Sequence, residues 1–270
     1  CKWNNTNLIP CITIKPPPNT SIFSEHGLMK YVITRKDILN SGAIDANDVL
    51  KLIPGIDVFQ SGQRGQQTSI FTRGSESNHT LVLLNGIAIN DQSTTDGLHD
   101  FGQDFVQTIQ QIEIYKGPSG AHFGPSAIAG AVNFITAIDY ENNISFSGFN
   151  NKNNSINGNY TKITDNEWHL NFKASKNQSK TNSAIADGSE KDAMQNMAIN
   201  LNILKWINDN TKFISTVYSR KTKADYDGSS TDESGYVSDN NMHAFQTGLS
   251  RIYKYKEESI IFHYHNYDRE

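Results

Sequence analysis

This chain of 270 residues is poor in the features that announce chemistry. It has only two cysteines, Cys1 and Cys11, and neither has metal-ligand spacing. A bridge between them in an oxidising compartment, a lipid on Cys1 and two incidental thiols are all compatible with their positions. No GxSxG, HExxH, P-loop or CxxC motif occurs, and the eight histidines are scattered, so no catalytic constellation is present and an enzyme is not expected. Lysine and arginine form no cluster. With a net charge of −4 and an isoelectric point near 6.1, nothing points to a nucleic-acid partner. No run of 18 apolar residues exists and the mean hydropathy is −0.55, which excludes a transmembrane helix. It does not exclude a β-barrel, whose strands need only about 10 residues of alternating character. No leader segment is visible ahead of Cys1, so the N-terminus is expected to be mature or cut.

What is present divides the chain into three textures. Residues 1–27 are Asn-rich and contain Pro16-Pro17-Pro18, which favours an extended, irregular segment. Within it, Cys11-Ile12-Thr13-Ile14-Lys15 is a short β-prone run. Residues 28–139 read as a small α+β domain. Strands are expected over Lys30–Thr34, Ile56–Phe59, Ser69–Arg73 and Thr80–Leu84. Short helices are expected over Asp37–Leu39 and Ala46–Leu52. Pro54-Gly55 is a breaker and Asn85-Gly86 a hairpin turn.

From residue 140 to 270 apolar and polar residues alternate in about six or seven runs, separated by Asn/Asp/Gly/Ser clusters. Trp168, Leu170, Phe172 and Ala174 share one face; His169, Asn171, Lys173 and Ser175 share the other. The pattern fits an antiparallel sandwich with one wet face, or a barrel wall with lipid outside and water inside. His263 and His265 fall on one strand face, where a lumen-facing polar position explains them more simply than a metal.

Four motifs decide between these readings. They are Asp48–Val58 (DVLKLIPGIDV), Ile70–Gly74 (IFTRG), Leu81–Gly86 (LVLLNG) and Gln110–Thr136 (QQIEIYKGPSGAHFGPSAIAGAVNFIT). In this order and spacing they resemble the plug domain of TonB-dependent outer-membrane receptors, with Asn85 where Asp is usual. The resemblance covers about residues 30–138. It implies an α+β plug followed by an antiparallel transmembrane β-barrel of roughly 22 strands. The residues after Tyr140 suffice for six or seven of these, and an open sheet cannot span a bilayer. The sequence is therefore expected to be an N-terminal piece of a longer receptor.

The resemblance also implies roles. Ile12, Thr13 and Ile14 would form a TonB box, adding as a strand to the periplasmic TonB protein. Arg73 and Glu113 would belong to a charge network at the plug–barrel contact. Gly74, Gly117, Gly124 and Gly130 would sit at turns or close approaches. Two polar plug loops, Gln60–Gln67 and Asp91–Asp100, would face incoming ligand, with Ser61, Gln63, Arg64, Gln66, Gln92 and Ser93 as contacts.

Within the family, the texture is most similar to the vitamin B12 (cobalamin) receptors. That likeness implies an acidic Ca²⁺ site in the loops Ala186–Met194 and Ala224–Asp239, with Glu190, Asp192, Asp227 and Asp239 as ligands. Tyr226 would stack on the corrin ring. The implied partners are TonB, the cargo, outer-membrane lipids and a surface lipoprotein. A ferric siderophore or haem cargo, a surface receptor without transport, and a soluble β-rich periplasmic binding protein are the competing readings.

Overall fold

The computed structural model describes residues 21–23, 29–94, 96–149, 153–180, 191–226, 236–253 and 256–269. Cys1, Cys11, the TonB-box residues Ile12, Thr13 and Ile14, and the loop residues Glu190 and Asp227 lie outside the described residues.

The first unit begins with β1 (Ser21–Phe23) and β2 (Met29–Thr34). Helix α1 (Arg35–Ser41) follows directly, because Thr34 and Asp37 form a reciprocal cap. The Thr34 hydroxyl accepts from the Asp37 backbone N–H (3.3 Å), and the Asp37 carboxylate accepts from the Thr34 N–H (3.0 Å). Helix α2 (Ala46–Leu50) is capped by Asp45, whose carboxylate accepts from the Asp48 N–H at 3.0 Å.

Strands β3 (Ile56–Gln60) and β4 (Thr68–Thr72) form a separate hairpin. Strand β5 (Thr80–Leu84) turns at Asn85-Gly86, with φ of 51° and 84°, into β6 (Ile87–Ala88). Two consecutive positive φ values are what a tight hairpin demands, and Asn-Gly supplies them. Strand β7 (Gln111–Lys116), the short helix α3 (Gly120–Phe123) and β8 (Gly130–Ile135) complete the unit. All four glycines singled out in the sequence have positive φ. At Gly130 a Cβ would also run into the Tyr115 carbonyl.

These strands form a six-stranded sheet in the order β1-β2-β7-β8-β5-β6, antiparallel except for the parallel β5–β8 pair. Its core includes Ile38, Leu50, Ile70, Val82, Phe101, Ile112 and Ile114, all fully or almost fully buried. Each such side chain contributes roughly 1.5–3 kcal/mol relative to exposure.

The second unit is a seven-stranded antiparallel meander. Its strands are β9 (Asn143–Phe149), β10 (Asn153–Ile163), β11 (Trp168–Lys180), β12 (Ala193–Asn208), β13 (Thr211–Asp225), β14 (Val237–Tyr253) and β15 (Lys256–Arg269). Each pairs with the next in sequence. Asn171, Ser175, Asn200 and Arg220 point inward and are buried, while Phe172, Ile199, Phe245, Ile260 and Phe262 point outward and are exposed. A sheet with a dry exterior and a polar interior is the inverse of a soluble protein and matches a membrane wall. No described helix is long and apolar enough to cross a membrane, which has no bearing on a barrel.

The first unit packs against the inner face of the wall. Tyr218, Met242 and Ala244 from the wall join its buried apolar cluster, with Tyr267 packed alongside.

Candidate functional site

The wall has two unlike ends. At one end β10 connects to β11, β12 to β13 and β14 to β15; at the other β9 connects to β10, and longer stretches of sequence separate β11 from β12 and β13 from β14. At the long-loop end the loop after β3 meets the wall. Gln66 Nε2 donates to the Asp225 carbonyl (2.8 Å), and the Asp225 carboxylate accepts from the Ala193 N–H (2.9 Å). Gly65 sits so close to Met194 and Ala224 that no larger residue fits. This loop is thus wedged beneath the roots of both long wall loops.

Beside it lies a cavity of about 390 Å³. Its floor is Asp45, Asp48, Gln63 and Arg64; its wall side is Asn153, Asn154, Asn177, Gln178 and Ser179, with Lys51 also in the lining. Arg64 Nη1 lies 2.5 Å from Asp45 and 3.0 Å from Asp48. Burial pushes the Asp45 carboxyl up, against the pull of Arg64. Burial acts the same way on Asp48, but the Ile44 N–H and the Arg64 guanidinium hold it below its ordinary value. The positive charge of Arg64 is therefore shared between two carboxylates rather than offered to solvent.

A second plug segment, 89–104, makes the charged contact with the wall. Arg220, inward-facing on β13, pairs with Asp104, and both side chains are buried. The other Asp104 oxygen lies 2.6 Å from His99 Nε2. Burial, with the Arg220 charge next, holds the His99 pKa down to about 3, so the ring is neutral at neutral pH and donates to Asp104. Tyr267 donates to the Ile89 carbonyl (2.6 Å), and Gln246 donates to the Leu84 carbonyl (2.7 Å). Arg269 lies 3.8 Å from Asp91 and 3.9 Å from Asp100.

The connection from β8 to β9 is moored separately. Lys173 donates to the Ala137 carbonyl (2.9 Å), and Asn159 and Asn171 both donate to the Asp139 carbonyl (3.3 Å each).

The residues expected from sequence distribute unevenly over this scaffold. Gln63 and Arg64 line the cavity, and Gln66 ties the loop to β13. Ser61 is exposed at the loop base, where its N–H donates to the Gln67 carbonyl (2.9 Å). Gln92 and Ser93 are exposed on the other loop; the Ser93 hydroxyl donates to Asp91 at 2.6 Å. Tyr226 stands at the base of a long wall loop, its ring 5.5 Å from that of Tyr236.

Arg73 and Glu113 do not come together. Glu113 pairs with Lys30 at 2.5 Å inside the plug sheet, while Arg73 is exposed after β4. Although burial opposes it, the Glu113 carboxylate raises the Lys30 pKa. The charged contacts that join plug to wall among the described side chains instead include the buried Asp104–Arg220 pair and the longer approaches of Arg269 to Asp91 and Asp100. One sequence signal pointed there: Arg220 is a cation in the inward set of β13, set between Tyr218 and Thr222.

The expected Ca²⁺ set fits poorly where it is described. Asp239 is already held by Lys221 (3.1 Å) and Lys223 (2.8 Å), so a cation there would meet two ammonium groups. Asp192 is buried. Among the described residues no group of three or more acidic, His or Cys side chains could hold a metal ion.

An α+β unit seated inside a curved wall with a polar lumen has a counterpart among known proteins. Residues 27–131 match the family model of the TonB-dependent receptor plug domain. The plug and its wall together also match solved structures. One is the siderophore receptor PirA from Acinetobacter baumannii (TM-score 0.71, 18% identity, 89% of this chain and 40% of that one). Another is the ferric citrate transporter FecA (0.69, 19%, 89% and 40%). A third is the copper transporter OprC (0.66, 17%, 84% and 35%).

The chain spans about two-fifths of the length of these structures. At such identity the likeness shows the fold: a plug domain followed by antiparallel wall strands. The matched proteins are receptors and transporters, not enzymes, and their names give three different cargoes on one architecture. The cargo of this plug must therefore be argued from its own side chains.

Proposed function

We propose that this chain is the N-terminal part of a TonB-dependent transporter of the Gram-negative outer membrane, with a corrinoid such as cobalamin as cargo. The wall would be the first third of a closed barrel of roughly 22 strands that spans the bilayer. Cargo would settle on the plug loop at Gln63 and Arg64 and on the wall loops, with Tyr226 at the rim. Ile12, Thr13 and Ile14 would pair with TonB, and force drawn from the inner-membrane proton gradient would rearrange the plug. No bond in the cargo would be made or broken.

The observation that carries the cargo choice is the chemistry of the apical cavity. Its two carboxylates, Asp45 and Asp48, balance its two cations, Arg64 and Lys51; the other polar side chains are amides and hydroxyls, among them Asn153, Asn154, Asn177, Gln178 and Ser179, with Ile44 and Met194 as apolar members. Such a lining suits an uncharged ligand edged with carboxamides, as a corrin is. An anionic ferric siderophore would call for cations free of carboxylate partners.

The second reading, a ferric siderophore or haem, is favoured by the siderophore and ferric citrate proteins among the structural matches. A surface receptor without transport would need no TonB box, so it would tolerate changes at Ile12 and Thr13.

The deciding measurement is cyanocobalamin binding to the full-length receptor in detergent, with millimolar Ca²⁺ and then with EDTA. Saturable binding that weakens in Asn177→Leu supports the cargo and its seat. Loss of that binding in EDTA would add a Ca²⁺ role for Asp192, Asp227 and Glu190, and would require Asp239 to leave its lysines. Binding of a ferric siderophore in place of cyanocobalamin would move the cargo to the second reading and leave the transporter intact.

A further inference from the structure

The inner face of the wall holds the plug by two different means. Across β10, β11 and β12 the inward rows start at the long-loop end with Ser155, Asn177 and Asn196, and reach Thr161, Asn171 and Asn202 towards the other end. Between these rows every inward residue is Asn or Ser except Ala198 and Lys173. The apical cavity opens onto the top of this face, because Ser155 and Asn177 belong to both. The plug is joined to it by hydrogen bonds. Asn177 Nδ2 donates to Gln107 Oε1 (3.2 Å), Lys173 Nζ to Gln110 Oε1 (3.3 Å) and Thr136 Oγ1 to Asn202 Oδ1 (3.2 Å). The Ser175 hydroxyl, on the same face, is buried and makes no hydrogen bond.

Beyond β12 the contact changes character. Arg220 on β13 forms the buried pair with Asp104, and Tyr218, Met242 and Ala244 complete the apolar cluster of the plug. The two kinds of contact part at different cost. A hydrogen bond to an amide is replaced by one to any arriving amide, hydroxyl or water, so its net worth is small. A buried ion pair pulled apart leaves a charge uncompensated, and an apolar contact has no polar substitute. The seam that opens most readily is therefore the one along β10–β12, directly below the cavity.

We propose that cargo passes the plug along the inner face of β10–β12, where the plug parts from the wall while it stays attached to β13 and β14. Asn177, Ser175, Asn200 and Asn202 pass the cargo on by hydrogen bonds, and Gln107, Gln110 and Thr136 are the plug groups released. Such a face takes a neutral solute edged with amides or hydroxyls. The proposal rests on the transporter reading and deepens it.

The test ties the plug to one half of the wall at a time, in the full-length receptor in cells and in a cysteine-free background. The pairs Gln110→Cys/Lys173→Cys and Asp104→Cys/Arg220→Cys are each bridged with a short, reducible bis-thiol reagent. Bridging the first pair is expected to abolish cyanocobalamin uptake while surface binding persists, and reductant should restore it. Bridging the second is expected to leave uptake at the level of the same variant unbridged. Block by both bridges, by neither, or by the second alone would overturn the proposal. A second measurement needs no bridge: maleimide labelling of Asn200→Cys and of Ala244→Cys, both buried positions, with the proton gradient intact and then collapsed. Labelling of Asn200→Cys should rise with the gradient and that of Ala244→Cys should not; an equal rise at both overturns the path. Cyanocobalamin binding is read on the unbridged cells. Its absence fails the cargo reading alone, and the labelling comparison, run with a ferric siderophore, then decides the path.

Discussion

Plug and wall are built from similar stretches of β-strand with opposite polarity. In β7 and β8 the apolar face is buried, with Ile112, Ile114, Val132 and Phe134 almost wholly out of solvent. In the wall the apolar residues are the exposed ones, among them Ile260 at 73% and Phe262 at 72%. The plug is an ordinary core made against water, whereas the wall presumes a medium that accepts Ile and Phe and rejects Asn. Where the two meet, polar contacts (Asp104–Arg220, Gln246 to Leu84, Tyr267 to Ile89) stand beside an apolar patch of Tyr218, Met242 and Ala244. Polar contacts to backbone carbonyls can be exchanged with water more readily than an interdigitated apolar seam.

The sharpest way to break this comparison is at its one buried ion pair. Arg220→Met should cost about 3–5 kcal/mol of plug–wall stability, because Asp104 is left buried with only His99 beside it. Hydrogen exchange of segment 89–104 should rise sharply while the wall stays protected; unchanged protection would refute the role given to the pair.

Next in size is a matched truncation. Ile112→Ala should destabilise the plug by about 2–5 kcal/mol. Ile260→Ala, removing the same atoms from the outer face, should change detergent-solubilised stability far less. Equal losses in urea melts would mean that the wall is not facing an apolar medium.

The smallest effect sharpens the junction by pH. The folded pKa of His99, about 3, lies below the ordinary value of 6.5. The unfolded or detached state therefore binds more protons across that window, and stability falls as pH drops from about 6.5 towards 3. Between pH 7 and pH 5 the plug–wall contact should lose about 1–2 kcal/mol, a loss that His99→Asn abolishes. Urea midpoints of both proteins at the two pH values provide the check.

Much of the architecture was legible because it is local. The alternation of Phe172 with Asn171 and Lys173 names the face of each residue, and β11 honours it. A helix is found where Asp37–Leu39 was expected, and the reciprocal Thr34–Asp37 cap extends it to Arg35–Ser41. Asn85-Gly86 turns where two positive φ values are needed.

The candidate site was less legible because it is assembled across distance. Asp104 and Arg220 are 116 positions apart, and no period or motif joins them. Arg64 could be assigned to an apical loop, but not its two carboxylate partners, which lie on the α2 cap and first turn. Glu113 is a strand residue whose partner, Lys30, is set by the β2–β7 register rather than by sequence neighbourhood.

The strand order of the plug has a consequence for synthesis. Strand β2 pairs with β7 some 80 residues later, and β5 with β8 some 50 residues later, so the two ladders that join the sheet's local pairs form only once β7 and β8 have been made. The apolar cluster is finished by Tyr218, Met242 and Ala244, which are made later still. Formation of a plug of this topology is therefore limited by long loop closures, and its last apolar surface is covered only once β13 and β14 have arrived. The wall, whose every strand pairs with its neighbour in sequence, can zip as it is made, so the later-synthesised unit is the one with the faster route to its own hydrogen bonds.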